Sequence, residues 1–147
     1  MSKTNSYFHI VINTYCRKMT ITEERKKELY AYILGILNNK KCKLIRINGI
    51  GNHVHILLNL NPTIALSDIV KTIKQSSSLW MKASDHFPNF DSWGKEYFAY
   101  SVSPEGVEAV RNYIIGQEQH HTTVKFEDEL RELCIRAGID PKDIYLD

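Results

Sequence analysis

The chain has 147 residues, a net charge of +2, and 43% hydrophobic and 24% charged residues, the make-up of one soluble globular domain long enough to bury its own core. No apolar run approaches the roughly 18 residues of a membrane span, and the start Met1-Ser2-Lys3-Thr4-Asn5-Ser6 is too polar for a secretory leader, so a cytoplasmic protein without membrane contact is expected. Cys16, Cys42 and Cys134 are too scattered for a disulfide framework or a paired-cysteine zinc site and read as free thiols.

Charge is unevenly spread. Residues 1–82 hold 13 Lys and Arg against 4 Asp and Glu, whereas residues 83–147 hold 6 against 13. The basic part suits a polyanion, and equally the two parts can attract each other.

In chain order, Tyr7-Phe8-His9-Ile10-Val11-Ile12-Asn13-Thr14-Tyr15 is rich in aromatic and β-branched residues and reads as a buried strand. Thr22 is placed as a helix N-cap with Glu23 and Glu24 in the first turn. Leu29, Ile33, Ile36 and Leu37 then predict a helix from about Glu23 to Asn38. Lys43-Leu44-Ile45-Arg46-Ile47-Asn48 predicts a second strand, Gly49-Ile50-Gly51-Asn52 a turn, and the run from His53 to Leu58 a third strand that closes a hairpin. Ser67 is set to cap a helix whose apolar face carries Ile69, Val70, Ile73, Leu79 and Trp80, leaving Lys71, Lys74 and Lys82 for solvent or phosphate. Residues 85–92 read as a loop, and Glu96-Tyr97-Phe98-Ala99-Tyr100-Ser101-Val102 as a further strand.

The order strand, helix, hairpin, helix, strand is the plan of an α+β, ferredoxin-like (RRM-like) sandwich with an antiparallel sheet and helices on one face. Alternation along the third strand puts His53 and His55 on one face and Val54 and Ile56 on the other. The apolar side must meet the helices, so the histidines are expected on the open face. Two imidazoles side by side suit a divalent metal but are only two ligands.

After the sheet, Ser103 and Pro104 start a helix continued by Val107, Val110, Ile114 and Ile115. Tyr113 and Gln117, four residues apart, lie about 40° apart around its axis and about 6 Å along it. On spacing alone this pair serves packing as well as chemistry. His121 falls on the same side, where it is a fourth ligand, a base near Tyr113, a phosphate contact or helix-end surface. A last helix is predicted from Phe126, Leu130, Leu133, Cys134 and Ala137, with Glu127, Asp128, Glu129, Arg131 and Glu132 on its solvent side and Gly138 ending it.

In combination, His53-Val54-His55 on a strand and Tyr113-Ile114-Ile115-Gly116-Gln117 on a helix resemble the HUH endonuclease superfamily. More closely, they are similar to its small single-tyrosine transposases of insertion sequences and to REP-associated tyrosine transposases. The opening Phe8-His9-Ile10-Val11 strand, the hairpin, Ile69-Val70-Lys71, Trp93, Tyr97 and Ser101-Val102 extend the resemblance over nearly the whole chain. It implies a single domain over 1–147, with a sheet core over 1–102, a tyrosine helix over 103–121 and a C-terminal helix over 124–138.

The resemblance also implies that His53, His55 and Gln117 hold Mg²⁺ or Mn²⁺, with zinc left open. Tyr113 would attack single-stranded DNA to give a 5′-phosphotyrosine and a free 3′ hydroxyl, near a recognised DNA hairpin. A homodimer is expected, with the tyrosine acting in its own chain or its partner's. Where these proteins often have Asp before the first histidine, this chain has Asn52, which removes a carboxylate beside the site, and a ligand set of two histidines and one carboxamide is expected to hold none. Arg17, Lys18, Lys40, Lys41, Lys43, Arg46, Lys71 and Lys74 are candidates for the DNA backbone, and Tyr7, Tyr15 or Trp80 for base stacking. Two other readings stand beside this one: a nucleic-acid-binding module that keeps the fold without catalysis, and a zinc hydrolase using His53, His55 and His121.

Overall fold

A computed structural model describes residues 2–144. Its elements run β1 (Tyr7–Asn13), α1 (Lys26–Asn39), β2 (Lys43–Ile50), β3 (His53–Asn59), α2 (Leu66–Ala83), β4 (Phe98–Val102), α3 (Val107–Ile115), α4 (Gln117–His120) and α5 (Phe126–Ala137). The sheet order is β2-β3-β1-β4 with every neighbouring pair antiparallel. The expected α+β sandwich is the observed one.

The central strands β1 and β3 carry apolar residues on both faces. Ile10, Ile12, Val54, Ile56 and Leu58 point to one side and form the main core with Leu29, Ile33 and Leu37 of α1 and Ile69, Val70 and Ile73 of α2. Each of these aliphatic side chains, removed from water, contributes on the order of 1.5–3 kcal/mol. Trp80 belongs to the same layer, stacked on Tyr32 at 4.7 Å, so its ring is engaged in packing.

The other face is where the structure departs from expectation, because it is not open. The helices after β4 fold back across it, and Val11 and Phe98 pack against Phe126, Leu130, Leu133 and Cys134 of α5, while Leu57 and Val102 pack against Ile114 of α3. An amphipathic helix must bury its apolar stripe, and this sheet face offers it Val11, Leu57, Phe98 and Val102.

Helix starts also differ. Arg25 and Ala65, not Thr22 and Ser67, occupy the N-cap positions of α1 and α2, and neither makes a side-chain cap bond. The Thr22 hydroxyl instead donates to the His86 carbonyl at 3.1 Å. Tertiary hydrogen bonds outcompete a local cap where the loop is packed. At the other end, Gly138 sits at φ 73° and closes α5 in the left-handed conformation, as its position in the sequence predicts. Cys16, Cys42 and Cys134 are free thiols. Among the described residues no helix is long and apolar enough to cross a membrane.

Candidate metal and nucleophile site

The site is built on the register of the sheet. Val11 pairs with His55 and Asn13 with His53 across β1 and β3, Asn48 of β2 pairs with His55, and Tyr100 of β4 pairs with His9. Directly opposed residues share a face, so His9, Asn48, His53, His55 and Tyr100 all lie on the side covered by α3 to α5. The β2–β3 hairpin holds His53 close to its neighbour strand: a Cβ at Gly49 would overlap the His53 carbonyl oxygen. Only glycine tolerates that approach.

The helical part is fixed to the sheet by Asn48 and Lys26. Asn48 Nδ2 donates to the carbonyls of Ile114 at 3.1 Å and Ile115 at 3.2 Å and to Glu118 Oε1 at 2.6 Å. Lys26, buried, lies 2.8 Å from Glu23 and 3.6 Å from Glu118. The helix breaks at Gly116, yet Tyr113 and Gln117 stay one turn apart on the side facing the histidines.

The histidine face and the tyrosine helix therefore meet within one chain. His53 Nε2 lies 3.0 Å from Gln117 Oε1, and the Tyr113 ring is 5.8 Å from that of His55. His53, His55 and Gln117 are all fully buried. His121 is also close: its side chain is 3% exposed and Nε2 lies 2.8 Å from Glu129.

Glu129 corrects the sequence reading twice. The sequence pattern puts it on the solvent side of α5 and predicts a ligand set without a carboxylate, but Glu129 is 1% exposed and sits at the centre of the site. Its Oε1 lies 3.2 Å from His53 Nε2 and 3.2 Å from His55 Nε2, while Oε2 accepts from Gln117 Nε2 at 2.7 Å and from the Tyr113 hydroxyl. On a helical wheel it falls about 40° from Leu133 and about 60° from Phe126. It therefore flanks the apolar stripe, a signal present in the sequence but overridden by its charge.

His9 and Tyr100 were also missed. His9 Nε2 lies 2.8 Å from His55 Nδ1, and His9 Nδ1 lies 3.0 Å from the Tyr100 hydroxyl. Asn52, the residue that departs from the common Asp, has its Oδ1 2.8 Å from His53 Nδ1. A neutral carboxamide thus does the orienting task of a carboxylate.

This donor set fits a cation. The Asn52 oxygen can only accept, so His53 carries its proton on Nδ1 and presents the Nε2 lone pair to the site. There it faces Gln117 Oε1, whose own amide nitrogen is committed to Glu129, and Glu129 Oε1. Lone pairs of His53, Gln117 and Glu129 converge with no proton between them. The nearest ligand atoms of His53, His55 and Glu129 all lie within 4.8 Å of one another, and so do those of His120, His121 and Glu129.

Burial dominates the electrostatics. It pushes His53 down to about 4 and His9 well below its ordinary value, with the neighbouring His55 adding to both. Burial, then the hydrogen bond and charge of Glu129, push Tyr113 up. For Glu129 burial acts upward, but the close contacts of His121, His53 and His55 outweigh it and hold the carboxyl far below the usual range. Burial also opposes the charge on His121, and contact with Glu129 and the Val124 carbonyl overcomes it, so His121 is raised.

A pH dependence follows for the metal-free protein. A histidine held low in the fold binds its proton more readily when unfolded, so stability is full above about pH 6.5 and falls as pH drops toward about 4. His53 and His9 act in this direction, and Glu129 extends the loss below its ordinary carboxylate range. His121 has the opposite sign, its contribution fading as pH rises above about 6.5. The His53 shift alone corresponds to at most about 3 kcal/mol. The metal-free melting temperature is expected to fall between about pH 7 and about pH 4.5; a rise over that range contradicts the assignment.

The basic candidates fall into separate places. Lys40, Lys41, Lys43 and Arg46 follow one another from the end of α1 along edge strand β2, and Arg46 shares the histidine face. Lys18 is exposed, and Arg17 pairs with Glu127 of α5 at 2.9 Å, one contact by which the acidic part holds the basic part. Lys71 and Lys74 stand on α2, across the sheet from the histidines, and Lys74 Nζ donates to the Gly94 carbonyl at 2.7 Å. Tyr15 is exposed, whereas Tyr7 packs with the Leu57 cluster.

Residues 2–117 match the family model described as "Transposase IS200 like". A candidate transposase of Deinococcus radiodurans R1 is similar in structure at TM-score 0.61 and 21% identity, with 80% of this chain and 95% of that one covered. A REP-associated tyrosine transposase, solved bound to a REP hairpin, is similar at TM-score 0.64 and 13% identity, covering 84% of this chain and 76% of that one. At these identities the two likenesses establish the fold. A search of the curated proteins finds no match to this chain.

Proposed function

This chain belongs to the IS200-like transposase family, and from that premise we propose that it is a metal-dependent transposase that cleaves and rejoins hairpin-bearing single-stranded DNA through a 5′-phosphotyrosine on Tyr113. The family implies DNA strand transfer; metal, hairpin and covalent link are the proposal. The observation that carries it is the convergence, in one chain, of His53 Nε2 on Gln117 Oε1 at 3.0 Å, with the Tyr113 hydroxyl and the Gln117 amide on the same carboxylate.

In this reading His53, His55 and Gln117 hold Mg²⁺ or Mn²⁺, with Mn²⁺ favoured in affinity by the imidazoles and Mg²⁺ by abundance. When bound, the ion supplies positive charge to a non-bridging oxygen of the scissile phosphate and makes phosphorus more electrophilic. Tyr113 Oη forms a bond to phosphorus as the bond to the 3′ oxygen breaks. The phenolic proton is released and the departing 3′ oxygen takes one up, so the charges balance. Asn52 and His9 orient the two imidazoles throughout. Because the phosphodiester link is conserved on the tyrosine, rejoining needs no nucleotide energy source.

A narrow cleft lined by Tyr113, His120, Glu129, Glu132, Leu133 and Arg136 is the approach to the nucleophile, with Arg136 offering a cationic partner to a phosphate. Lys40, Lys41, Lys43 and Arg46 form the basic edge that suits the DNA backbone, with Arg17 and Lys18 beyond it. A REP hairpin bound to the similar structure supports a hairpin as the substrate here. The test is covalent capture: hairpin-bearing single-stranded DNA incubated with the protein in Mn²⁺ is expected to give a denaturant-resistant protein–DNA adduct.

A homodimer forms part of the proposal, although one chain supplies both halves of the site. Light scattering at working concentration is expected to give the mass of two chains, and the mass of one chain overturns it.

A binding module without chemistry is the second reading. The complete burial of His53, His55 and Gln117 under α5 favours it, and it predicts hairpin binding that is indifferent to chelator and forms no adduct.

A further inference from the structure

Nothing in the family match reaches α5, since the matched residues end at 117. Yet the most connected group of the site comes from that helix. Glu129 is 1% exposed and meets five site side chains, those of His53, His55, Tyr113, Gln117 and His121. A buried carboxylate is costly unless every lone pair has a partner, and here the two oxygens divide their partners.

Oε1 faces imidazole nitrogens only: His53 Nε2 at 3.2 Å, His55 Nε2 at 3.2 Å and His121 Nε2 at 2.8 Å. Oε2 faces donors: the Gln117 amide at 2.7 Å and the Tyr113 hydroxyl, with His120 Nε2 at 3.6 Å. Within the first set His53 and His55, though not His121, have the spacing of a coordination shell. Ligand atoms each about 2.1 Å from a divalent ion lie about 3.0–3.4 Å apart when they subtend 90° to 109°. His53 to Glu129 at 3.2 Å, His55 to Glu129 at 3.2 Å and His53 to Gln117 at 3.0 Å all fall in that range.

We propose that Glu129 is a metal ligand of this site, joining His53, His55 and Gln117 through Oε1, while Oε2 holds the Tyr113 hydroxyl beside the ion. The inference rests on the metal-dependent reading above. It has two chemical consequences. A carboxylate lowers the net charge of the bound ion's shell and raises its affinity for cations that prefer oxygen. It also makes α5 part of the site, so that undocking this helix removes a ligand and the anchor of the nucleophile together.

The test is Mn²⁺ binding by the full-length protein, read by calorimetry and by the Mn²⁺-induced rise in melting temperature, neither of which requires turnover. Glu129→Gln keeps the shape and one acceptor oxygen but removes the charge, and its Mn²⁺ affinity is expected to fall at least about tenfold. Glu129→Asp keeps the charge and withdraws it by one methylene, and a comparable fall is expected because a ligand must reach. Circular dichroism of both variants reports folding, and the aspartate variant carries the test where the glutamine variant does not fold.

Wild-type affinity in both variants overturns the proposal. So does an increase in covalent DNA capture by Glu129→Gln, which would make Glu129 a stopper in the site. Failure of the proposed function is separate: it appears as wild-type protein that forms no adduct, whatever Glu129 does to Mn²⁺ binding.

Discussion

Tyr113→Phe is expected to abolish covalent capture of single-stranded DNA, a loss of at least about 10⁴-fold, while leaving the fold intact. The substitution removes one oxygen. The ring that packs beside Val11, Phe98 and Leu130 remains, and Glu129 Oε2 keeps its bond from Gln117 at 2.7 Å. Losing one hydrogen bond to a charged acceptor costs about 1.5–3 kcal/mol, which a stable domain absorbs. What the variant lacks is the hydroxyl held on Glu129 beside the histidine pair, the proposed nucleophile. Ordinary tyrosine is phenolate in about one part per thousand at neutral pH, and burial with Glu129 pushes Tyr113 further toward the phenol. On the proposed mechanism a cation activates the wild-type tyrosine, and no activation can rescue phenylalanine. An adduct of normal yield from Tyr113→Phe would remove the tyrosine from the mechanism.

Chelation is expected to have an effect nearly as large. Capture should fall at least about 10³-fold in a chelator and return on adding Mn²⁺ in excess. In His55→Ala the loss should persist whatever the Mn²⁺ concentration. His55 presents Nε2 to Glu129 at 3.2 Å and is steadied at Nδ1 by His9 at 2.8 Å. Alanine here deletes a proposed ligand and leaves His9 Nε2 without its buried partner, so the variant should also lose about 1–3 kcal/mol of stability. The combination separates a ligand from a packing residue. Loss of stability with capture fully restored by Mn²⁺ would show that His55 only packs.

Much of this molecule is legible in one sequence. Strand alternation put His53 and His55 opposite Val54 and Ile56, and the fully buried Val54 and Ile56 sit in the core between sheet and helices. The four-residue spacing put Tyr113 and Gln117 on one helix face, and they remain there across the break at Gly116. These are local regularities, set by backbone periods of two and of 3.6 residues. The helix caps at Thr22 and Ser67 were misread for a local reason as well, since a side chain that can cap a helix can also bond a distant carbonyl, as Thr22 does with His86.

Glu129 illustrates the other kind of information. A carboxylate between Asp128 and Leu130 on an acidic helix has the pattern of a solvated residue, and only its place flanking the apolar stripe separates it from Glu132. Its burial depends on which sheet face α5 covers and on how far around its axis the helix is turned when it docks. His9 and Tyr100 are similar, ordinary strand residues until register sets them beside His55.

By itself the sequence determined the elements, their order, the opposing faces of β3 and the pairing of Tyr113 with Gln117, because each is a matter of residue type and short-range spacing. Only the tertiary structure decided that α3 to α5 close over the histidine face and that α5 contributes a carboxylate to it. The physical reason is that a buried charge is stabilised by partners far away in the chain, 74 residues in the case of Glu129 and His55, and no local pattern records who those partners are.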